Sequence, residues 1–151
     1  EKFVRTSGAV GIPSIAEKNF CLIFDSRIRD SLQDIAIVIV ARAIGWDSYY
    51  QIELSTNGKG SIRVNNTRQI GEWENGVSWI DGKAHPVKIS FQDKRFEIFD
   101  GQDNRSIFNL DLTGSGLLAN SGDIRIGLKP FYPNQKAIVE FDNVFVYDRC
   151  P

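Results

Sequence analysis

Apolar residues alternate with polar ones along most of the chain, which is the pattern of β-strands that bury one face. The alternation is clear in residues 20–28, 50–54 and 87–91. No segment shows the apolar spacing of a convincing amphipathic helix. The pattern therefore predicts an all-β protein.

Turn residues separate these segments at short intervals. Asn57-Gly58 is the strongest short hairpin signal, and residues 92–94 and Asp100-Gly101 stand between further alternating segments. Residues 35–41 are continuously apolar, which is typical of a strand covered on both faces. The turn spacing indicates about nine to eleven strands, and hence a sandwich or a barrel. We predict one domain over residues 1–151, a two-sheet antiparallel β-sandwich of the jelly-roll type.

Composition narrows the functional classes. The chain has 151 residues, of which 42% are hydrophobic and 25% charged, as in an ordinary globular domain. Its formal net charge of −1 gives no basic field for nucleic acid or an anionic membrane. Its apolar runs are far shorter than the roughly 20 residues of a membrane span. We therefore expect neither nucleic-acid binding nor membrane insertion.

Two cysteines and two glycosylation sequons point to the secretory route. Cys21 and Cys150 lie near opposite ends of the chain, either as buried thiols or as a disulfide that ties the last strand to an early one. Asn65 and Asn104 each begin an Asn-x-Ser/Thr triplet. Together these features favour a disulfide, glycosylation at both asparagines and a secreted protein.

Residues for catalysis or metal binding are sparse. His85 is the single histidine, which excludes the usual zinc ligand sets, and a loop histidine is most often solvated. Glu72 and Glu74 have the spacing of one strand face but flank a probable turn. Asp100, Asp103 and Asn104 fit a polar turn better than a complete calcium loop. We therefore predict no catalytic residue, no metal site and no cofactor.

Sugar binding needs an aromatic platform and planar polar side chains on a rigid strand. Residues 66–74 offer Asn66, Arg68, Trp73 and Glu74 within a short stretch. Trp73 either stacks on a sugar or closes one edge of the core, and the composition leaves both interpretations open.

This stretch resembles the galectin family. Residues 64–73 match its pattern V-x-N-[ST]-x-x-x-G-x-W at every fixed position, and residues 34–42 resemble its strand D-I-A-F-H-F-N-P-R. The resemblance implies a sugar site that includes Arg42, Asn66 and Trp73. Val38 and Val40 stand where galectins have His and Asn, so the usual β-galactoside site is not expected. In the galectin register Val64 faces the ligand and Asn65 the core, whereas an outward Asn65 turns Val64 inward.

Two other segments resemble concanavalin A-like domains. Residues 81–101 are similar to a strand pair of laminin G-like domains, and residues 141–148 to the closing strand of glucanase-like and carbohydrate-binding modules. These families share the jelly-roll architecture, which does not by itself fix function.

The sequence supports two functional hypotheses, and it leaves a glucanase-type enzyme open as a third. The first is an extracellular, non-enzymatic, lectin-like domain that binds glycans or glycoproteins through Arg42, Asn66, Arg68, Trp73 and Glu74. The second is an adhesion or structural domain of a larger secreted protein, with a degenerate sugar site. Sandwiches often leave a strand edge exposed, so a homodimer through a terminal strand is compatible with either.

Overall fold

The computed structural model describes residues 4–6, 10–29, 35–44, 48–65, 67–116, 122–130 and 138–151. These residues form twelve strands in two six-stranded sheets, with antiparallel pairing throughout. The predicted two-sheet antiparallel sandwich is confirmed. Among the described residues there is no helix of the length and hydrophobicity that would span a bilayer.

Sheet A contains the first and last strands in the order β1-β12-β3-β8-β9-β10. Its strands are β1 (Val4–Thr6), β12 (Ile138–Tyr147), β3 (Phe20–Arg29), β8 (His85–Gln92), β9 (Arg95–Asp100) and β10 (Ser106–Asp111). Sheet B has the order β2-β11-β4-β5-β6-β7. Its strands are β2 (Val10–Glu17), β11 (Gly122–Pro130), β4 (Ile35–Ile44), β5 (Ser48–Ser55), β6 (Gly60–Val64) and β7 (Arg68–Trp73).

The core lies between the sheets and is built from alternate strand residues. Sheet A contributes residues such as Phe24, Ile89 and Phe91, and sheet B contributes residues such as Ile39 and Ile52. The other side chains of each strand point to the outer face, which is the face turned away from the partner sheet.

The predicted turns lie where the sequence placed them. Gly58 has a φ of 90° in the loop between β5 and β6, a conformation that glycine adopts without steric cost. Asp93 has a φ of 48° between β8 and β9. The loops after β6 and β8 lie at one end of the sandwich, here the first end, and those after β5 and β9 lie at the second end.

A β-bulge divides β12 into two halves. Asp142 pairs with Asp25 of β3, but the next pair is Phe145 with Ile23, so two residues of β12 face a single residue of β3. Asn143 in this bulge has a φ of 50°. The extra residue reverses the inward and outward phase of everything that follows it.

Candidate functional site

The second half of β12 places two aromatic rings on the outer face of sheet A. Phe145 is 51% exposed and Tyr147 is 40% exposed. Their ring centroids lie 6.2 Å apart and their planes differ by 29°, so both rings face solvent in nearly one orientation. Exposed aromatic side chains that are grouped in one patch are typical of binding surfaces.

Apolar atoms continue from these rings across the neighbouring strands. Ile23 is the register partner of Phe145, Lys88 is the partner of Ile23, and Phe99 is the partner of Lys88. The Lys88 ammonium lies 4.5 Å from the Phe99 ring centroid. We call the platform the surface formed by the exposed rings of Phe145 and Tyr147 and by the partly buried Ile23 and Phe99, with the buried Lys88, which is 9% exposed, between Ile23 and Phe99.

Polar groups border the platform at the bulge. Asp25 and Asp142 face each other across β3 and β12, and Asn143 lies beside both of them. The Asn143 side-chain amide donates to Asp25 Oδ2 at 2.6 Å, and its backbone N–H donates to Asp142 Oδ1 at 2.8 Å. The bulge therefore sets two fixed hydrogen-bond acceptors next to two exposed rings.

A second polar feature lies on the same face at the first end. An open cavity of about 720 Å³ is lined by residues that include Gln92, Lys94, Arg95, Asn109 and Asp111. Hydrogen bonds from Thr113 hold the pKa of the Asp111 carboxyl below its usual value. The cavity is thus lined by positively charged hydrogen-bond donors, negatively charged acceptors and neutral amides.

Trp73, which the sequence offered as a stacking residue for a sugar, lies in the core. It is 8% exposed, and its ring stacks on Phe108 with centroids 5.2 Å apart. Its other neighbours include Phe96 and the backbone of Gly60, where an added Cβ would lie 2.2 Å from the indole. The structure therefore favours the core interpretation of Trp73 over the ligand interpretation.

Arg42 is also enclosed. Its residue exposure is 0%, and its guanidinium donates to the Lys18 carbonyl at 2.7 Å and to the Asp93 carbonyl at 3.0 Å. It lies over the Phe91 ring, and burial lowers its pKa. A bulge in β4 and a φ of 52° turn the side chain toward sheet A. Arg42 therefore joins two turns at the first end of the sandwich.

We expect Arg42→Ala to lower the free energy of unfolding by about 2–4 kcal/mol, because two partly buried backbone carbonyls lose a charged donor. Urea denaturation followed by circular dichroism measures this change. Arg42→Lys is the control, since it keeps the charge but cannot reach both carbonyls in the same way and should lie between the two. An Arg42→Ala protein as stable as the wild type would contradict this role.

The remaining predicted sugar ligands do not meet at one place. Arg68 begins β7 and donates to the Ser115 carbonyl at 3.0 Å, whereas Trp73 ends the same strand, about 17 Å away at strand spacing. Glu74 is exposed beside Trp73. Asn66 lies outside the described residues.

The register implied by the galectin resemblance is wrong. Val64 lies in the core together with Ile62, and neither faces a ligand groove. Asn65 is partly exposed in a turn with a φ of 54°, where its side-chain oxygen accepts the Tyr49 N–H at 2.9 Å. The apolar residues of β6 point inward because this strand supplies one edge of the core.

The predicted disulfide between Cys21 and Cys150 is present and spans 129 residues of sequence. Asn104, the second predicted glycosylation site, is exposed with a φ of 59°. Asp100 and Asp103 accept backbone N–H groups of their own turn, and His85 pairs with Asp81 at 2.9 Å. Within the described ranges, no group of three or more His, Cys, Asp or Glu side chains is placed to hold a metal ion.

Sequence reasoning missed Phe145 and Tyr147, because both have the spacing of core residues in an unbroken strand. Phe141 is buried, and strict alternation from it would bury positions 143, 145 and 147 as well. The signal that could have revealed them is Asp142-Asn143, since Asn and Asp tolerate a positive φ and a polar residue stands at an inward position.

Comparison with known proteins supports the fold. No family model and no curated sequence matches the chain. Among solved structures, the carbohydrate-binding module CBM66 from Bacillus subtilis is 16% identical, with a TM-score of 0.58 over 95% of this chain and 80% of that one. A β-1,3-1,4-glucanase (lichenase) from a mouse hindgut metagenome is 8% identical, with a TM-score of 0.63 over 91% of this chain and 69% of that one.

A third similar structure is the CBM40 of the Ruminococcus gnavus IT-sialidase, described bound to α2,6 sialyllactose. It is 12% identical, with a TM-score of 0.58 over 99% of this chain and 91% of that one. These likenesses support the concanavalin A-like expectation and give no specific support to galectins. The chain therefore has the jelly-roll sandwich fold that carbohydrate-binding modules and a glucanase also adopt.

Proposed function

We propose that this protein is a non-enzymatic carbohydrate-binding domain that binds glycans through the platform on sheet A. The observation that carries the proposal is the pair of exposed, nearly parallel rings of Phe145 and Tyr147. A sugar ring has one fairly apolar face, which can lie on such a pair. The similar carbohydrate-binding modules support this class of ligand.

The border of the platform supplies the polar half of the interaction. Asp25 and Asp142 are partly exposed carboxylates, and Asn143 holds both in position. Carboxylate oxygens held in this way can accept hydrogen bonds from sugar hydroxyls without a further loss of rotamer freedom. A small site becomes specific when aromatic rings stack on the sugar and neighbouring hydrogen-bond acceptors orient it.

The same two carboxylates raise the question of glycoside hydrolysis. A glycosidase needs one acid to protonate the leaving group and a second carboxylate on the other side of the bond. Asp25 and Asp142 both accept hydrogen bonds from the one asparagine between them, beside the rings rather than on opposite sides of a cleft. We propose that they bind hydroxyls and do not cleave the glycan.

The disulfide and the sequons support an extracellular location. Disulfides persist in oxidising compartments, and Cys21–Cys150 closes most of the chain into one loop. Both sequon asparagines lie in exposed or partly exposed turns, where a glycan can be attached. We propose a secreted or cell-surface glycoprotein that recognises glycans of other molecules.

We expect Phe145→Ala and Tyr147→Ala each to weaken glycan binding by about thirtyfold, because truncating a central aromatic contact typically costs about 2 kcal/mol. A glycan array identifies the ligand, and isothermal titration calorimetry then gives the dissociation constants. The matched control is Ile80→Ala, which removes an apolar side chain that is 77% exposed in the loop between β7 and β8 and is not part of the platform. Its affinity should equal that of the wild type.

Two results would overturn this assignment. One is that both aromatic variants bind the glycan identified on the array as tightly as the wild type does. The other is release of reducing sugar from the bound glycan that Asp25→Asn abolishes, because that would make the domain an enzyme. A reducing-end assay on the same proteins separates binding from cleavage.

The edge of β12 favours a second candidate function, protein contact. β1 pairs with β12 only at residues 139–141, and among the described residues no strand covers the far side of residues 142–147. The exposed Val144 adds an apolar side chain there. A strand edge of this kind can pair with a second copy or with another protein. Sedimentation that shows a dimer, together with an array without glycan binding, would favour this alternative.

A further inference from the structure

Asn104 borders the platform at the end opposite to the aromatic pair. Its side-chain oxygen accepts a hydrogen bond from Lys88 Nζ at 2.6 Å, and the same ammonium lies over the Phe99 ring. Lys88 pairs with Ile23, and Ile23 pairs with Phe145. Two strand spacings, about 10 Å, thus separate Lys88 from the exposed ring of Phe145.

The turn that carries Asn104 is held by several hydrogen bonds. The Asn104 N–H donates to the Asp100 carbonyl, and the Asp100 N–H donates to the Arg105 carbonyl, both at 2.9 Å. The Arg105 guanidinium reaches the Asn75 carbonyl at 3.2 Å. Because the backbone and the side-chain oxygen are both fixed, the side-chain nitrogen of Asn104 has a defined direction beside the platform.

The same nitrogen is the acceptor atom of a glycosylation sequon, Asn104-Arg105-Ser106. During N-glycosylation it bonds to the anomeric carbon of an oligosaccharide carried on a lipid pyrophosphate. The bond from that carbon to the pyrophosphate breaks, and the amide loses one proton. The side-chain oxygen is not consumed, so its hydrogen bond with Lys88 is compatible with an attached sugar.

We propose that Asn104 carries an N-linked glycan whose core sugars lie on the platform and regulate it by competing with external glycans. The proposal rests on the carbohydrate-binding function proposed above. Attachment beside the platform gives the glycan an effective concentration of about millimolar. An intrinsic dissociation constant below about 1 mM is then enough for the tethered glycan to occupy the rings most of the time.

The chain contains its own control in the other sequon. Asn65 lies in the loop after β6, a strand of sheet B, whereas Asn104 lies in the loop after β9, a strand of sheet A, whose outer face carries the platform. A glycan on Asn65 should therefore leave the platform open. Ser106 and Thr67 can each be changed to alanine, which removes the sequon and leaves the asparagine in place.

The test uses the chain secreted from a glycosylating host as wild type, Ser106→Ala, Thr67→Ala and the double variant. Mass spectrometry of glycopeptides gives the occupancy of each asparagine. Titration with the best ligand from the glycan array gives the affinity of each form. We expect Ser106→Ala to bind that ligand about tenfold more tightly than wild type, if the tethered glycan's own dissociation constant is about a tenth of its effective concentration. Thr67→Ala should bind like wild type.

Three results would overturn the proposal. They are an unoccupied Asn104, equal affinities of Ser106→Ala and wild type, or an equal gain in Thr67→Ala. If, in any of these cases, the glycosylation-free double variant binds glycans and Phe145→Ala removes that binding, the proposed function stands without this regulation. If no form, including the double variant, binds a glycan, the proposed function fails and this regulation fails with it.

Discussion

Trp73→Ala is expected to lower the free energy of unfolding by about 3–5 kcal/mol, the usual cost of truncating a buried aromatic residue. The indole fills the space between the two sheets against Phe108 and Phe96. It also lies over Gly60, its register partner across β6 and β7. Removing it leaves a cavity that neither glycine backbone nor a neighbouring ring can close.

Chemical denaturation of the purified variant measures this loss. Glu74→Ala is the matched control, because Glu74 is the exposed neighbour of Trp73 and contributes no core volume. It should change stability by less than about 0.5 kcal/mol. A Trp73→Ala protein with wild-type stability and no glycan binding would instead make Trp73 a ligand platform and would contradict the packing described here.

Reduction of the disulfide is expected to cost about 5 kcal/mol of stability, a large share of the roughly 5–15 kcal/mol that stabilises a typical domain. The reason is the length of the loop, because Cys21 and Cys150 are 129 positions apart and their link removes a large share of the conformations open to the unfolded chain. The bridge also fixes the C-terminal residues against the outer face of β3, beside Tyr147.

Urea denaturation with and without a reducing agent measures this contribution on the unchanged sequence. The Cys21→Ala and Cys150→Ala double variant provides the matched comparison, and it should unfold near the midpoint of the reduced wild type. Its own midpoint should not respond to the reducing agent. A loss below about 1 kcal/mol in both experiments would mean that native contacts alone hold the terminal residues in place.

Local chemistry explains how much of the fold could be predicted. The hairpin at Asn57-Gly58 follows from the backbone freedom of two neighbouring residues, and the alternation in β5 and β8 follows from one buried face. The disulfide was predictable because two cysteines in a strand-rich chain with sequons leave few other roles. The hairpin and the alternation do not depend on which distant segments become neighbours, and the disulfide, which joins distant segments, needed only the count of two cysteines.

The candidate site could not be predicted because its residues depend on such long-range facts. Arg42 is a surface residue by its type, and it is enclosed only because two turns from other strands present carbonyl groups to it. The Trp73 indole fits into the core because Gly60, which lies opposite it, has no side chain to occupy the same space. Phe145 and Tyr147 point outward because the bulge shifts the register of β12. The pattern of apolar residues alone does not show this shift.

The bulge at residues 142–145 also bears on how such a surface arises and disappears during evolution. Loss of a single codon at position 143 or 144 would convert the bulge into a regular ladder, and Phe145 and Tyr147 would keep their register partners and their outward orientation. The recognition surface can therefore persist through a one-residue deletion at the bulge, whereas a regular ladder formed without the loss of a residue would shift the register and turn both rings toward the core.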